Sequence, residues 1–346
     1  MKLTKVIALF LAVMLCIATL LPAGAVNASD AQAKADILNE LGLFNGTDKG
    51  YELDRKPTRM EAIIMLIRMT GKENDALYGE WSHPFTDAPT WEGAEQYLGY
   101  AYENGLTTGA TATTFDPNAT ATAQMYVTFM LRALGYEDEA GQKVWDAWEK
   151  LGKANGILPT EVNKINFTRG DAVVVSHAAL SAWMAGTETP LALSLMDMGT
   201  FNALTYAKSE ILAGKKVTTD SALIDIAAQI YLGSEIMTNY LGINEINDDM
   251  LSYFLGVEKL DYEEALAIEP MMSSKAHSVC VVRMKDGANA EKAAKDIKAS
   301  VDPRKWICVG VEPEHVHTVV MGDIVVLIMD NDNDTLFIEN LNKIAQ

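Results

Sequence analysis

Two short segments of the 346-residue sequence place an arginine where it could bind an anion. Thr58-Arg59-Met60-Glu61 and Thr168-Arg169-Gly170-Asp171 each open an apolar run. The threonine is a natural N-cap, and the acid three residues later, Glu61 or Asp171, completes a capping box or lies in the first helical turn. An arginine at a helix start offers its guanidinium fork beside exposed backbone N–H groups, and both suit a carboxylate.

The elements that must position these arginines recur along the first half of the chain. Three degenerate copies lie at about residues 31–72, 85–136 and 140–185, and each is predicted to be helix, glycine-bearing loop, helix. In the first copy Ile63, Ile64, Leu66 and Ile67 supply a broad apolar helix face. One helix-loop-helix unit cannot bury such a face alone, so the copies are expected to pack on one another.

These copies resemble the S-layer homology (SLH) repeat of bacterial surface proteins. The resemblance rests on Phe85-Thr86-Asp87, Gly105-Leu106-Thr107-Thr108-Gly109, Phe115-Asp116-Pro117 and the two T-R-x-acid segments. It implies that three repeats form an all-α, pseudo-threefold helical bundle over residues 29–189. It also implies binding to the secondary polysaccharide of the Gram-positive cell wall, usually through a pyruvylated sugar held by the arginines.

The residues that the resemblance assigns to polymer binding belong to the first and third copies. They are Thr58, Arg59, Glu61, Thr168, Arg169 and Asp171. Aligning Arg68 with Arg132 places Thr122-Ala123 at the position of Thr58-Arg59, so the second copy lacks the arginine. At most two grooves are therefore expected to bind, and the alternative is that these arginines are capping and surface charges only.

Composition and the amino terminus predict where the protein works. Lys2 and Lys5, an apolar run and small residues up to Ala28 are typical of a secretory signal peptide over residues 1–28. No later segment is hydrophobic enough to remain in a membrane. With 47 acidic and 28 basic residues the formal charge is −19, which argues against nucleic acid and anionic membrane surfaces as partners. We expect a secreted protein of the cell wall or cell surface, associated with the surface layer.

The second half is predicted to begin with a helical connector or lead-in, residues 190–261, followed by an α+β sandwich domain, residues 262–346. A β-α-β-β-β-α order is predicted, with the helices on one sheet face. The predicted strands are His277–Met284, Trp306–Val311, Val316–Met321 and Ile324–Met329, and the predicted helices are Asn289–Val301 and Thr335–Ile344.

This carboxyl-terminal stretch resembles an uncharacterised domain family of exported Firmicutes proteins, many of them lipid-anchored. The resemblance rests on residues 269–272, 277–279 and 302–307 and on the Gly322-Asp323 hairpin. No activity is established for that family, so the resemblance implies fold and location only.

Side chains that could do chemistry in this half lack a complete pattern. His315 and His317 would face one side of a strand and could share a metal, but no third ligand is evident. The acidic run at residues 330–334 has Thr335 where a calcium loop needs glycine. Cys280 and Cys308 could form a disulfide or remain buried thiols. We expect no catalytic residue, metal or cofactor.

The sequence therefore predicts a non-enzymatic cell-surface protein, held by its repeats to wall polysaccharide and presenting a carboxyl-terminal domain of unknown role. Two other interpretations stay open: an envelope enzyme with its active site in the α+β domain, and a structural protein whose repeats make protein contacts in a surface layer.

Overall fold

The computed structural model describes residues 27–139, 141–272 and 274–344. The predicted signal peptide lies outside these residues except for Asn27 and Ala28. Asn27 caps the first helix, because its side chain accepts a hydrogen bond from the N–H of Ser29 at 3.1 Å. Within the three described ranges, no helix is both long enough and apolar enough to cross a membrane.

The amino-terminal part of the chain is helical, as predicted. Its helices share one hydrophobic core, which includes Leu38, Ile63, Leu66, Tyr126 and Val174. The helices are α1 (Ala28–Glu40), α2 (Arg59–Met69), α3 (Glu73–Tyr78), α4 (Ala94–Glu103), α5 (Ala123–Ala133), α6 (Val144–Ala154), α7 (Arg169–Ala179) and α8 (Leu191–Asp197).

The segment at residues 190–261 is divided between two cores. Leu191 and Leu195 of α8 belong to the amino-terminal core. The next helices, α9 (Ala203–Leu212) and α10 (Leu223–Ile230), contribute to a core on the carboxyl-terminal sheet. Residues 191–212, which have helical spacing in the sequence, therefore form two helices. A turn separates them, and Gly199 in this turn has a φ of +74°.

The two cores meet through close contacts around this turn. Nζ of Lys208 on α9 lies 3.0 Å from a carboxylate oxygen of Glu40 on α1, and the lysine side chain is only 6% exposed. Gly71 follows α2 with a φ of +67°, and a Cβ there would lie 2.2 Å from Oγ1 of Thr200. The helical part and the sheet-containing part are thus packed directly on one another.

The carboxyl-terminal part contains a five-stranded antiparallel sheet. Its spatial order is β1-β2-β3-β5-β4. The strands are β1 (Leu241–Glu245), β2 (Tyr262–Pro270), β3 (Ser278–Met284), β4 (Val316–Met321) and β5 (Ile324–Met329). The last two form the predicted hairpin with the predicted bounds, and Gly322 adopts a φ of +62° in its turn.

Helices cover both faces of this sheet. Val279 and Val281 of β3 face the core shared with α9, α10 and α13 (Asp334–Leu341). Cys280 and Val282 face the core shared with α11 (Leu251–Leu255) and α12 (Ala290–Ser300). The expectation of helices on one face was wrong, because the central strands are apolar on both sides and need cover on both.

Three strand assignments also differ from the prediction. Residues 306–311 form a loop rather than a strand, since Cys308 has a φ of +63° and Val311 N–H bonds back to the Pro303 carbonyl at 2.8 Å. Strands β1 and β2 were not predicted. In β2 the exposed acids Glu263 and Glu264 lie side by side and break the alternation expected of a strand.

Candidate anion-binding site

Three helices of the amino-terminal part start in the same way. Thr58, Thr122 and Thr168 precede α2, α5 and α7, and each hydroxyl accepts a hydrogen bond at 3.2 Å from the N–H three residues later. The reciprocal acid completes a capping box in α2 and α7. In α5 its place is taken by Met125, so the second copy retains the cap but has lost the carboxylate.

The Arg59 side chain leaves its own copy and rests on the second one. Its Nε donates to the Phe115 carbonyl at 2.7 Å, and its guanidinium lies 4.8 Å from the centre of the Phe115 ring. Its backbone N–H donates to the Ala119 carbonyl at 2.8 Å. Burial lowers the pKa of Arg59, although the negative charges of Asp116 and Asp87 raise it. The guanidinium nevertheless stays protonated, as it does in proteins generally.

The loop that receives Arg59 is held by a carboxylate. Asp87 accepts the backbone N–H groups of Phe115 at 2.8 Å and Asp116 at 2.7 Å. Burial raises the pKa of Asp87, yet these two donors and the Arg59 charge outweigh it and lower the pKa overall. Asp116 adopts a φ of +60°. The Phe85-Thr86-Asp87 and Phe115-Asp116-Pro117 segments therefore act together to point the Phe115 carbonyl at Arg59.

Arg59 lines a cavity of about 380 Å³, which we call the Arg59 pocket. Arg132 and Lys143 line it too, and among the described residues none of the three cations forms an ion pair with a carboxylate. Trp145 is 39% exposed at the rim. The full lining is Arg59, Thr107, Thr108, Gly109, Met125, Phe129, Arg132, Asp138, Lys143, Trp145 and Asp146.

Arg132, Lys143 and Trp145 were not predicted as site residues. Arg132 aligns with Arg68 of the first copy, and that alignment was the one sequence feature that could have singled it out. Lys143 and Trp145 come from the start of α6, which packs against α5. The Gln124 side chain holds this segment by donating to the Trp145 carbonyl at 3.0 Å.

Arg169 makes the corresponding contacts with the first copy but is enclosed. It is 3% exposed, and its Nε donates to the Tyr51 carbonyl at 2.9 Å. Its Nη1 lies 3.6 Å from Oε1 of Glu61, and its guanidinium lies 5.3 Å from the centre of the Phe44 ring. A cavity of about 500 Å³ lies beside Tyr51, but Arg169 does not line it.

The acids of the two capping boxes are occupied within the protein. Glu61 is gripped by Arg55 through bonds of 2.9 and 2.6 Å and accepts the Thr58 N–H at 2.7 Å. Burial raises the pKa of Glu61, but Arg55, Thr58 and Arg169 together lower it. Asp171 accepts the N–H groups of Thr168 at 2.8 Å and of Asn163 at 2.7 Å. Both acids shape helix starts, and neither lines the Arg59 pocket.

A buried polar chain connects α10 to the sheet. The Tyr231 hydroxyl lies 2.6 Å from Nε2 of His277, whose Nδ1 lies 2.7 Å from Oδ2 of Asp330. Burial raises the pKa of Tyr231 well above its usual value, and the Asp330 charge adds to this. Although burial raises the pKa of Asp330, its bonds to His277 and Asn333 bring it to about 2. All three side chains are buried, so these hydrogen bonds hold α10 and the sheet together.

The histidine pair predicted on one strand shares a carboxylate. His315 Nδ1 and His317 Nε2 lie 3.0 and 2.7 Å from the same oxygen of Asp334. Across the described ranges, no group of three or more His, Cys, Asp or Glu side chains is arranged to hold a metal ion. Cys280 is buried and Cys308 exposed, and both are free thiols, so the disulfide alternative is wrong.

Comparison with known families recognises two segments of the chain, and the first of them contributes residues to the Arg59 pocket. Residues 84–122 match the model of the S-layer homology domain, and residues 237–319 match that of Domain of unknown function (DUF4358). The first match contains Thr107, Thr108 and Gly109 of the Arg59 pocket, together with the Phe115 carbonyl. The sequence-based recognition of an SLH segment followed by an uncharacterised domain is confirmed.

Two curated relatives are similar to parts of the chain. A "Middle cell wall protein" of Brevibacillus brevis is 29% identical over 118 residues, which is 34% of this chain and 11% of the relative. A "Cell surface protein" of Thermoanaerobacter kivui is 33% identical over 103 residues, 29% of this chain and 14% of the relative. The chain thus spans only a small part of the length of either relative.

Proposed function

We propose that the chain is a secreted cell-surface protein that attaches non-covalently to anionic cell-wall polysaccharide through the Arg59 pocket. One observation carries the proposal: Arg59, Arg132 and Lys143 converge on one cavity, and none of them forms an ion pair with a carboxylate among the described residues. The two acids that also line the cavity, Asp138 and Asp146, leave it with one more positive than negative side chain. In a chain of net charge −19, unpaired cations that face a cavity favour an anionic ligand. The SLH match and the relatives named for the cell wall and cell surface support the location.

The chemistry of binding follows from the side chains that line the pocket. A guanidinium offers two parallel N–H donors to a carboxylate, and Arg132 and Lys143 add positive charge beside it. The exposed Trp145 ring offers an apolar face to a sugar. A pyruvylated sugar carries both a carboxylate and a ring, so it suits this pocket, and no metal or cofactor is needed to hold it.

The helical part is proposed to be a pseudo-threefold bundle over residues 29–189, followed by a lead-in at 190–261 and a domain at 262–346. Repeated contacts between the copies support the bundle. Arg59 and Met60 N–H groups bond to the carbonyls of Ala119 and Pro117, whereas those of Arg169 and Gly170 bond to the carbonyls of Arg55 and Leu53. The starts of α2 and α7 thus each bond to another copy, at two carbonyls that lie two residues apart.

The remaining predicted residues fit supporting roles in this proposal. Thr58, Glu61, Thr168 and Asp171 set the helix starts from which the arginines project, and Arg169 is engaged inside the bundle. The carboxyl-terminal sheet is proposed to present a surface rather than to catalyse a reaction. No enzyme family accompanies the SLH and DUF4358 matches, and the relatives are named as cell wall and cell surface proteins.

A pull-down with purified, pyruvylated cell-wall polysaccharide tests the proposal. Arg59→Gln should weaken binding by about 10- to 100-fold, the range for losing a charge-assisted hydrogen bond. The matched control is Arg304→Gln, which removes an exposed arginine far along the chain, in the 302–311 loop. Equal binding by the wild type, Arg59→Gln and the control would reject the Arg59 pocket and favour repeats that make protein contacts.

A further inference from the structure

We infer that Met125 leaves Arg59 free to bind an anion and that the chain therefore carries one anion site rather than two or three. The inference deepens the proposed function and rests on it. It concerns the third residue of α5, where the first and third copies carry the capping-box acids Glu61 and Asp171.

Arg59 and Arg169 dock in the same way at their Nε atoms. The Nε of Arg59 donates to the Phe115 carbonyl in the second copy at 2.7 Å, and the Nε of Arg169 donates to the Tyr51 carbonyl in the first copy at 2.9 Å. The residue after each aromatic has a positive φ, +60° at Asp116 and +49° at Glu52. The backbone cradle is therefore common to both arginines and does not explain why one faces a cavity.

The two arginines differ in the group that lies next to Nη1. Nη1 of Arg59 lies 3.5 Å from the Met125 sulfur, whereas Nη1 of Arg169 lies 3.6 Å from Oε1 of Glu61. Met125 aligns with Glu61 when Arg132 is aligned with Arg68. A thioether is a weak, uncharged acceptor, but a carboxylate opposes the guanidinium charge directly.

The replacement of the glutamate by Met125 changes the balance of charge around the arginine. Around Arg169, Glu61 is also bound twice by Arg55, and Glu52 lies 3.1 Å from Arg55, so two cations meet two anions. Around Arg59, the sulfur of Met125 supplies no charge. Asp87 and Asp116 act on Arg59 without forming an ion pair. An incoming carboxylate would therefore be the first to pair directly with Arg59, but for Arg169 it would have to displace Glu61.

The remaining helix start lacks the cation altogether. Ala123 occupies the first position of α5, where the other two helices carry arginine. The second copy has thus lost both its arginine and its acid, and the two losses have opposite effects. Ala123 removes a site from its own copy, while Met125 opens the site of the copy before it. One equipped groove per chain is the result.

Calorimetric titration of the full chain with a synthetic pyruvylated monosaccharide tests the stoichiometry without any variant. One molecule should bind per chain. Two or three would overturn the inference while leaving the proposed function intact. An absence of binding would instead overturn the proposed function itself, and the inference with it.

Met125→Glu tests the cause, with Met125→Gln as a neutral control of similar length. The glutamate variant should bind the monosaccharide about tenfold more weakly, because it supplies an internal counter-ion, and the glutamine variant should stay within about threefold. In an Arg59→Gln background, Met125→Glu should add no further loss. Met125→Asp replaces it if the circular dichroism of Met125→Glu is not native-like. Equal weakening by the acid and the amide would mean that shape rather than charge decides, and would overturn the inference.

Discussion

The Arg59 pocket in the helical part and the surroundings of Lys305 in the sheet-containing part differ in whether their charged side chains are paired. In the helical part Arg59, Arg132 and Lys143 line one cavity and, within the described residues, have no carboxylate partner. In the sheet-containing part the buried Lys305 lies 2.6 Å from Glu269. Unpaired charge costs little where solvent or a ligand can reach it and a great deal in a core. Lack of an internal partner, rather than charge alone, therefore marks the surface suited to binding.

Aromatic rings and one carboxylate surround the charged end of Lys305 in the second part. Its Nζ lies 4.8 Å from the ring centre of Tyr253, 5.2 Å from that of Phe254 and 5.4 Å from that of Trp306. Glu269 Oε1 makes no hydrogen bond of ordinary geometry, so its contact with Lys305 is an ion pair supported by aromatic faces. Such a group is engaged inside the protein and is not available to a ligand.

The largest effect is expected from Lys305→Met, which leaves the buried Glu269 without a counter-ion. Removing one partner of a buried pair costs about 3–5 kcal/mol, and urea unfolding of the full chain should show a loss of that size. Arg304→Gln, one residue earlier and exposed, should stay within about 0.5 kcal/mol of the wild type. If Lys305→Met were as stable as Arg304→Gln, the contrast between the two parts would not hold.

A smaller and opposite result is expected in the Arg59 pocket. Arg132→Gln and Lys143→Gln should each weaken binding of wall polysaccharide by about two- to tenfold, because each removes one positive charge that lines the pocket. Their urea midpoints should not fall, since neither cation has an internal partner to lose. Lys298→Gln, an exposed lysine of α12, is the control for binding. A fall in stability without a change in binding would reverse the roles assigned to these residues.

The smallest effect concerns the histidines that share Asp334. The hydrogen bond to Asp334 raises the pKa of His315 above its usual 6.5, although burial opposes it. The protonated form thus stabilises the fold below about pH 6.5, and that contribution disappears as pH rises through the raised pKa. His315→Gln should lower the melting temperature more at pH 5.5 than at pH 8.5. Equal shifts at the two pH values would show that the charge of His315 does not matter.

Structural features that depend on neighbouring residues in the sequence could be predicted. The capping boxes at Thr58 and Thr168 follow from acids three residues later, and the β4–β5 hairpin follows from two apolar runs around Gly322. The loop at residues 306–311 could not, because its apolar residues resemble a strand while Cys308 takes a left-handed conformation. A left-handed conformation is uncommon for a residue other than glycine, so the residue type does not indicate it.

The candidate site was predictable only in part, for the same reason. Arg59 and Arg169 stand in nearly identical local sequences, yet one borders a cavity and the other is 3% exposed. The difference arises from Met125 and Glu61, which reach these arginines from other copies. Lys143 and Trp145 join the pocket through the packing of α6. No local pattern encodes such contacts between distant segments.

The close seating of Thr200 against Gly71, together with the buried pair of Lys208 and Glu40, has a mechanical consequence. In the proposed attachment, drag on the exposed surface would be transmitted through the protein to the Arg59 pocket. Here the force would pass through the contacts of Lys208 with Glu40 and of Thr200 with Gly71 instead of through a flexible linker. The sheet would then keep a fixed orientation relative to the attached polymer, and neighbouring protein molecules on one wall would present the same edge outward.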